Sequence, residues 1–253
     1  MKDDYQLTDL DRAFYEWQLD VPGFGEAGQA KLRNATALVS RAGGLGGPLA
    51  FSLAAAGIGK LVIAHAGDLR HDDLNRQILM RHDGIGKPRV DSLVTTLRSF
   101  NPNVEVEAIA ENVSDANAAE LVAKVDIVFG AAPLFEERFA LNRECVRQNK
   151  PLIDAAMFSL EGQVISIVPG KTPCLACLYP EVPPHWKRRF PVFGAVSALA
   201  ANIAAMEGIK LLAGIGEVTL NRMIYFDTAT MRFQQIRIQR NPDCAVCQSQ
   251  PPS

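Results

Sequence analysis

The chain has 253 residues, of which 26 are Lys or Arg, 28 are Asp or Glu and 48% are hydrophobic. This length and composition fit one large α/β domain or two small ones, and they exclude a disordered, collagen-like or low-complexity chain. The net charge of −2 provides no basic surface for nucleic acid or an anionic membrane. Residues 1–11 are acidic and polar rather than a basic, apolar leader, so we expect a soluble cytoplasmic protein.

The first half of the chain predicts alternating strands and helices. After an amphipathic segment at 7–19, a buried strand is predicted at 35–39, and the glycine-rich turn at 43–46 opens an apolar helix that ends at Ala56. A second strand at 61–64 completes a βαβ unit. The alternation continues with helices at 88–100, 116–123 and 135–149 and with strands at 104–108, 126–129 and 151–154. We therefore expect a Rossmann-like, doubly wound, mostly parallel sheet that binds its ligand at the carboxyl edge.

Beyond residue 158 the pattern changes. It predicts a strand at 162–168, a long alanine-rich helix at 192–212, and an antiparallel pair of strands at 223–227 and 232–239. We expect residues 1–158 to form the Rossmann-like part and residues 159–253 to form an antiparallel part of the same compact domain. The few charges of the long helix suit either a core face or a dimer face.

Four of the five cysteines form two Cys-x-x-Cys pairs, Cys174 with Cys177 and Cys244 with Cys247. In a reducing cytoplasm such pairs are typical of thiolate ligands, and two of them complete a closed tetrahedral zinc site. Four protein ligands leave no open position, so we expect structural zinc that ties the start of the second part to its end. The alternatives are a redox dithiol or an incidental pairing, but the 174–177 segment reads as a loop rather than a helix start. Cys145 is expected to be a buried, small apolar residue.

An ordered set of short motifs points to a known family. The motifs are Gly-Gly-Leu-Gly at 43–46, Asp-Leu-Asn-Arg-Gln at 73–77, Ile-Gly-Lys-Pro-Arg-Val at 85–90, Asn-Pro at 101–102, Glu-Gly-Gln-Val at 161–164, Phe-Asp at 226–227 and the two cysteine pairs. This set resembles the MoeB/ThiF/HesA family, bacterial relatives of the ubiquitin-activating enzymes. The resemblance implies a homodimer with one structural zinc per chain. It also implies an ATP–Mg²⁺ site that adenylates the C-terminal Gly-Gly of a small ubiquitin-like sulfur-carrier protein.

The resemblance also assigns the nucleotide site to particular residues. The expected remnant of that site consists of Gly43, Gly44, Gly46, Arg76 and Arg89, with Arg41 and His65 beside them. Adenylation brings a carboxylate to a phosphate, and two anions repel. The site therefore needs backbone amides, cationic side chains and a magnesium carboxylate.

Several of these positions depart from the family pattern. Arg41 replaces the first glycine of Gly-x-Gly-Gly-x-Gly, and His-Ala-Gly at 65–67 replaces an Asp-x-Asp that holds the ribose. Asp73 replaces an asparagine. Arg89 replaces a lysine, which keeps the charge but changes its geometry.

Three further departures fall on groups that act directly in the reaction. Pro133 lies where the family has the aspartate that positions magnesium, and proline has no metal ligand. Phe14 lies where an arginine reaches the nucleotide of the partner subunit. The crossover loop at 181–191, which carries a cysteine in many relatives, has none. We therefore expect no catalytic residue and little or no adenylation.

Three functions remain open at this point. The first is a homologue that has lost adenylation and serves as a dimeric zinc-containing binding or scaffold protein. The second is a repurposed enzyme in which Arg41, His65, His71, Arg76 and Arg89 bind another anion. The third is an ATP-dependent adenylyltransferase with displaced ligands, acting on a sulfur carrier.

Overall fold

A computed structural model describes residues 5–184, 186–187 and 190–248 of the protein. Across these ranges runs one sheet whose strands are β1 (Thr36–Ser40), β2 (Lys60–Ala64), β3 (Glu105–Ile109), β4 (Ile127–Gly130), β5 (Leu152–Phe158), β6 (Glu161–Ile167), β7 (Arg222–Asp227) and β8 (Arg232–Arg237). Their order is β3-β2-β1-β4-β5-β6-β7-β8. Strands β1 to β5 are parallel, and β6 to β8 extend the sheet as antiparallel neighbours. The predicted α/β fold is confirmed.

Nine α-helices accompany the sheet within the described ranges. They are α1 (Asp9–Phe14), α2 (Glu16–Leu19), α3 (Gly25–Asn34), α4 (Gly46–Ala55), α5 (Arg89–Phe100), α6 (Ala118–Ala123), α7 (Phe135–Arg147), α8 (Leu175–Leu178) and α9 (Gly194–Ala213). The amphipathic opening is split into α1 and α2, and Thr8 caps the first of them. The sequence pattern does not predict α3. This helix has a single large apolar residue, Leu32, so its sequence shows no helical periodicity of apolar residues.

The core occupies both faces of the sheet because successive residues of a buried strand point to opposite faces. On β1, Val39 packs with α4, α5 and α9, whereas Leu38 packs with α6, α7 and the cysteine cluster. The central strands β1 and β4 are buried along their whole length and mostly apolar, which is why the sequence pattern predicts them, whereas the edge strand β3 also carries two glutamates.

Helix α9 is long and apolar enough to cross a membrane by length and composition. In the fold it packs against α4, β5 and β6, and its small residues allow close approach. At Gly208, an added Cβ would lie 2.3 Å from the ring of Phe129. Its composition suited either a core face or a dimer face, and in the fold the helix supplies a core face.

Candidate functional site

A cleft of about 1920 Å³ opens at the carboxyl ends of the parallel strands. Its wall includes the glycine-rich turn after β1, the loop after β2, the β4–α7 loop and the end of β5. On the other side lie Trp186 and Phe190, which belong to the described part of the 181–191 loop and contact the rings of Phe135 and Phe158, respectively. This position is where an open α/β sheet places its ligand.

The glycine-rich turn keeps the close backbone approach that the sequence predicted. A Cβ on Gly46 would lie 1.8 Å from the carbonyl oxygen of Arg41, so only glycine fits there. Arg41 itself has a φ of 65°, the left-handed conformation that favours glycine. The arginine therefore takes the backbone geometry of a glycine position and adds a side chain.

The side chain of Arg41 is engaged within the protein. Its Nε lies 2.9 Å from Oε2 of Glu137 on α7, and its Nη2 lies 2.5 Å from Oε1. The exposed fraction of the side chain is 16% for Arg41 and 5% for Glu137, so little water screens the pair. The positive charge of Arg41 is therefore balanced inside the cleft wall.

Arg89 is paired in the same way. Its Nη2 donates to Oδ2 of Asp73 at 2.7 Å and its Nη1 donates to the carbonyl of Ala66 at 3.1 Å. Asp73 also accepts a 2.5 Å hydrogen bond from Gln77, and its side chain is 4% exposed. Arg76 is more open, since its Nη2 lies 3.8 Å from Asp73 Oδ1 and 27% of its side chain is exposed.

His65 is buried at the end of β2. Its Nδ1 accepts a hydrogen bond from the backbone N–H of Ala42 at 3.2 Å. Burial, followed by the charges of Arg89 and Arg41, lowers the pKa of His65 to about 4. At neutral pH it is therefore an uncharged imidazole whose acceptor nitrogen is already used, unlike the carboxylate that the family resemblance implies for a ribose diol.

This shift predicts a pH dependence of stability. The unfolded chain protonates His65 near its ordinary pKa of 6.5, whereas the folded chain resists protonation until about pH 4. The free energy of unfolding should therefore fall by about 3 kcal/mol as the pH drops from 6.5 to 4. His65→Asn keeps an acceptor for Ala42 without titrating, and denaturant unfolding at several pH values should show a flatter profile. His82→Asn, at an exposed position, serves as the control and should keep the wild-type profile; an unchanged profile in His65→Asn would contradict the assignment.

An ion pair that the sequence pattern does not reveal lies at the floor of the cleft. Arg138 on α7 donates from Nε and Nη2 to the two carboxylate oxygens of Asp154, at 3.0 and 2.6 Å. The guanidinium lies 4.6 Å from the ring centroid of Phe135, a cation–π distance. The side chains are 5% and 0% exposed. The signal available in the sequence is a charged residue, Asp154, within the otherwise apolar strand β5.

The β4–α7 loop tests whether magnesium fits the cleft. Ala131, Ala132 and Pro133 line the cleft there, and none of them carries a side-chain oxygen. The nearby carboxylates of Asp73, Glu137 and Asp154 are each bound by an arginine. Three further carboxylates, those of Asp68, Asp72 and Glu161, line the cleft, and Asp72 is paired with Arg70. The β4–α7 loop therefore offers no magnesium ligand at the position that the family resemblance implies, and the remaining oxygen ligands of the cleft are carboxylates elsewhere on its wall, such as Asp68.

The four paired cysteines form a compact cluster away from the cleft. Their sulfur atoms all lie within 4.8 Å of one another, with Cys174–Cys244 at 3.6 Å and Cys177–Cys247 at 3.5 Å. A tetrahedral zinc with Zn–S bonds of about 2.3 Å requires sulfur separations of roughly 3.8 Å. The cluster therefore fits a metal ion. In its first pair, Cys174 caps the short helix α8 and Cys177 lies within that helix, where the sequence predicts a loop.

Burial also changes the pKa of the cysteine thiols. It raises the pKa of Cys177 to about 11 and is the main cause of the raised pKa of Cys145, which is fully buried on α7 as expected. Cys145 lies outside the metal cluster and outside the cleft lining. Phe14, the position aligned with the family's arginine, likewise does not line the cleft of this chain.

Comparison with known proteins identifies the family. The sequence profile of the ThiF family matches residues 15–246. The chain is 43% identical over 245 residues to "Protein HesA, heterocyst" of Trichormus variabilis, covering 97% of this chain and 91% of the relative. It is 34% identical over 244 residues to the SAMP-activating enzyme E1 of Haloferax volcanii, covering 95% and 89%. The crystal structure of E. coli MccB with ATP has a similar fold, with a TM-score of 0.81 and 26% identity over 98% of this chain and 76% of that one. The chain therefore belongs to the ThiF family.

Proposed function

We propose that this chain is a dimeric, zinc-containing binding protein that has lost ATP-dependent adenylation and keeps its cleft as a docking groove for the C-terminal tail of a small ubiquitin-like carrier protein. The observation that carries this proposal is the internal pairing of the cleft arginines, together with proline at the magnesium position. The protein is proposed to act in the cytoplasm.

The charge balance of the cleft supports the loss of adenylation. Arg41, Arg89 and Arg138 each contact a carboxylate that is at most 5% exposed. A triphosphate entering the cleft would compete for these cations with buried carboxylates, and removing one partner from a buried pair costs about 3–5 kcal/mol. Position 133 is a proline, so magnesium lacks the ligand that the family resemblance assigns there, and the repulsion between the carrier's carboxylate and the α-phosphate is less well offset.

The shape of the groove supports the retained docking role. Phe135, Tyr179, Trp186 and Phe190 line it, and Gly43 and Gly44 expose backbone at its inner end. An extended tail rich in glycine has little side-chain bulk and suits a groove with aromatic side chains along one wall. The Haloferax relative is named as an enzyme that activates SAMP, and we extend only the tail-binding part of such a role to this chain.

Two alternatives are weaker. A repurposed anion site needs free cations, but Arg41 and Arg89 are engaged, which leaves Arg76 as the more open arginine. His71 is exposed and is not among the residues that line the cleft. An active adenylyltransferase is favoured by the three retained glycines of the turn, Gly43, Gly44 and Gly46, and by the similarity to the ATP complex of MccB. A measurement of ATP–pyrophosphate exchange separates this alternative from the proposal.

The test is ATP–pyrophosphate exchange by the purified protein with Mg²⁺ and a carrier ending in Gly-Gly. We expect no exchange above background, while the carrier still binds without ATP in a titration followed by the fluorescence of Trp186 and Trp17. Trp186→Phe identifies the tryptophan that responds. The Haloferax enzyme with its SAMP partner is the positive control. Robust exchange would contradict the proposal, and a monomeric mass by light scattering of the same sample would contradict the dimer.

A further inference from the structure

Asn142 connects α7 to the cysteine cluster. It lies one helical turn after Arg138, and only 1% of it is exposed. Its Oδ1 accepts the backbone N–H of Leu175 at 2.8 Å. Leu175 follows Cys174 directly and begins α8, so this hydrogen bond fixes the backbone of the first cysteine pair on α7.

The amide nitrogen of the same side chain is an unsatisfied hydrogen-bond donor. Nδ2 of Asn142 is buried and has no hydrogen-bond partner within the described part of the chain. A buried donor without an acceptor costs about 1–3 kcal/mol, so an acceptor is expected at this place. The oxygen of the same amide is bound to Leu175, the residue directly after Cys174, and Cys174 is the N-cap residue of α8. Cys174 is therefore the cluster cysteine to which this amide is tied.

We infer that Asn142 is a positioning residue of the metal centre, with Nδ2–H donating to the thiolate of Cys174 while Oδ1 holds the N–H of Leu175. Four thiolates around one divalent ion carry a net charge of −2, and a buried N–H donor disperses part of it. A thiolate accepts a hydrogen bond more strongly than a thiol does, so the orphaned donor acquires its partner when metal binds. The inference rests on the zinc site of the proposed function.

Two substitutions separate the two hydrogen bonds. Asn142→Leu removes both at similar volume, and Asn142→Asp keeps an acceptor for Leu175 but removes the amide donor. We expect the zinc dissociation constant, measured by competition with a chromogenic chelator, to rise about 10- to 100-fold in both variants. If the wild-type protein binds no zinc, the zinc site itself is wrong; if the wild type binds zinc and both variants bind it equally tightly, only the role of Asn142 is wrong.

A spectroscopic readout distinguishes positioning from a general loss of stability. With Co²⁺ in place of zinc, loss of the N–H···S bond raises the energy of the sulfur lone pairs, so the thiolate-to-cobalt charge-transfer band should move to lower energy. Val146→Ala is the matched control, since it removes buried methyl groups from the same helix and the same core cluster but leaves both hydrogen bonds of Asn142 in place. It should leave the cobalt band and the zinc affinity unchanged. An equal band shift in Val146→Ala, or no shift in Asn142→Leu, would overturn the inference.

Discussion

Removing the proposed zinc should lower the melting temperature of the protein by about 10–20 °C. The four cysteines join residues 174–177 to residues 244–247, so the metal closes a long loop and attaches the end of the chain to α7 through α8. Structural zinc sites contribute much of the folding free energy of the segments that they hold, and a loss of about 5 kcal/mol corresponds to a shift of this size in a chain of 253 residues. Differential scanning calorimetry with and without a strong chelator measures it.

Cys244→Ser should reproduce the effect of chelation, because three remaining thiolates bind zinc more weakly than four. Cys145→Ala is the matched control, since it removes a buried thiol from the same core cluster but from outside the metal site. It should retain one zinc per chain by elemental analysis and cost on the order of 1 kcal/mol. A chelated, metal-free protein that melts at the temperature of the untreated protein would contradict a structural role for zinc.

The strands and the cysteine cluster could be predicted from the sequence because their signals are local or strongly patterned. A parallel strand such as β4 is buried on both faces, and its sequence is therefore a continuous run of apolar residues. The cysteine spacing allows few alternatives once the fold is known. Helix α3 could not be found, because tertiary packing at Leu32 stabilises it in place of an apolar periodicity.

The partners of the cleft arginines could not be read from the sequence. Arg41 and Glu137 are separated by 96 positions, and Arg89 and Asp73 by 16. Both arginines were interpreted as ligands of an anion because their carboxylate partners become neighbours only after the sheet forms. A glutamate on α7 gives no sign in sequence that its side chain points toward the glycine-rich turn.

The buried pair at the floor of the cleft predicts the largest effect of a single substitution. Asp154→Ala should lower the free energy of unfolding by about 3–5 kcal/mol, because it leaves the guanidinium of Arg138 buried without a counter-ion. Burial alone would lower the pKa of Arg138, but Asp154 reverses this and holds that pKa above its usual value. Urea unfolding monitored by circular dichroism gives the free energies of the wild type and the variant.

The double variant Arg138→Met, Asp154→Leu should recover most of the loss, since an apolar pair of similar volume leaves no unpaired charge. The four proteins form a double-mutant cycle, and we expect a coupling energy of about 2 kcal/mol or more. Lys124→Ala, which breaks an exposed ion pair with Glu120, is the control and should leave the unfolding curve unchanged. If Asp154→Ala costs no more than this control, the pair is hydrated in solution, and Arg138 then remains a free cation for an anionic ligand in the cleft.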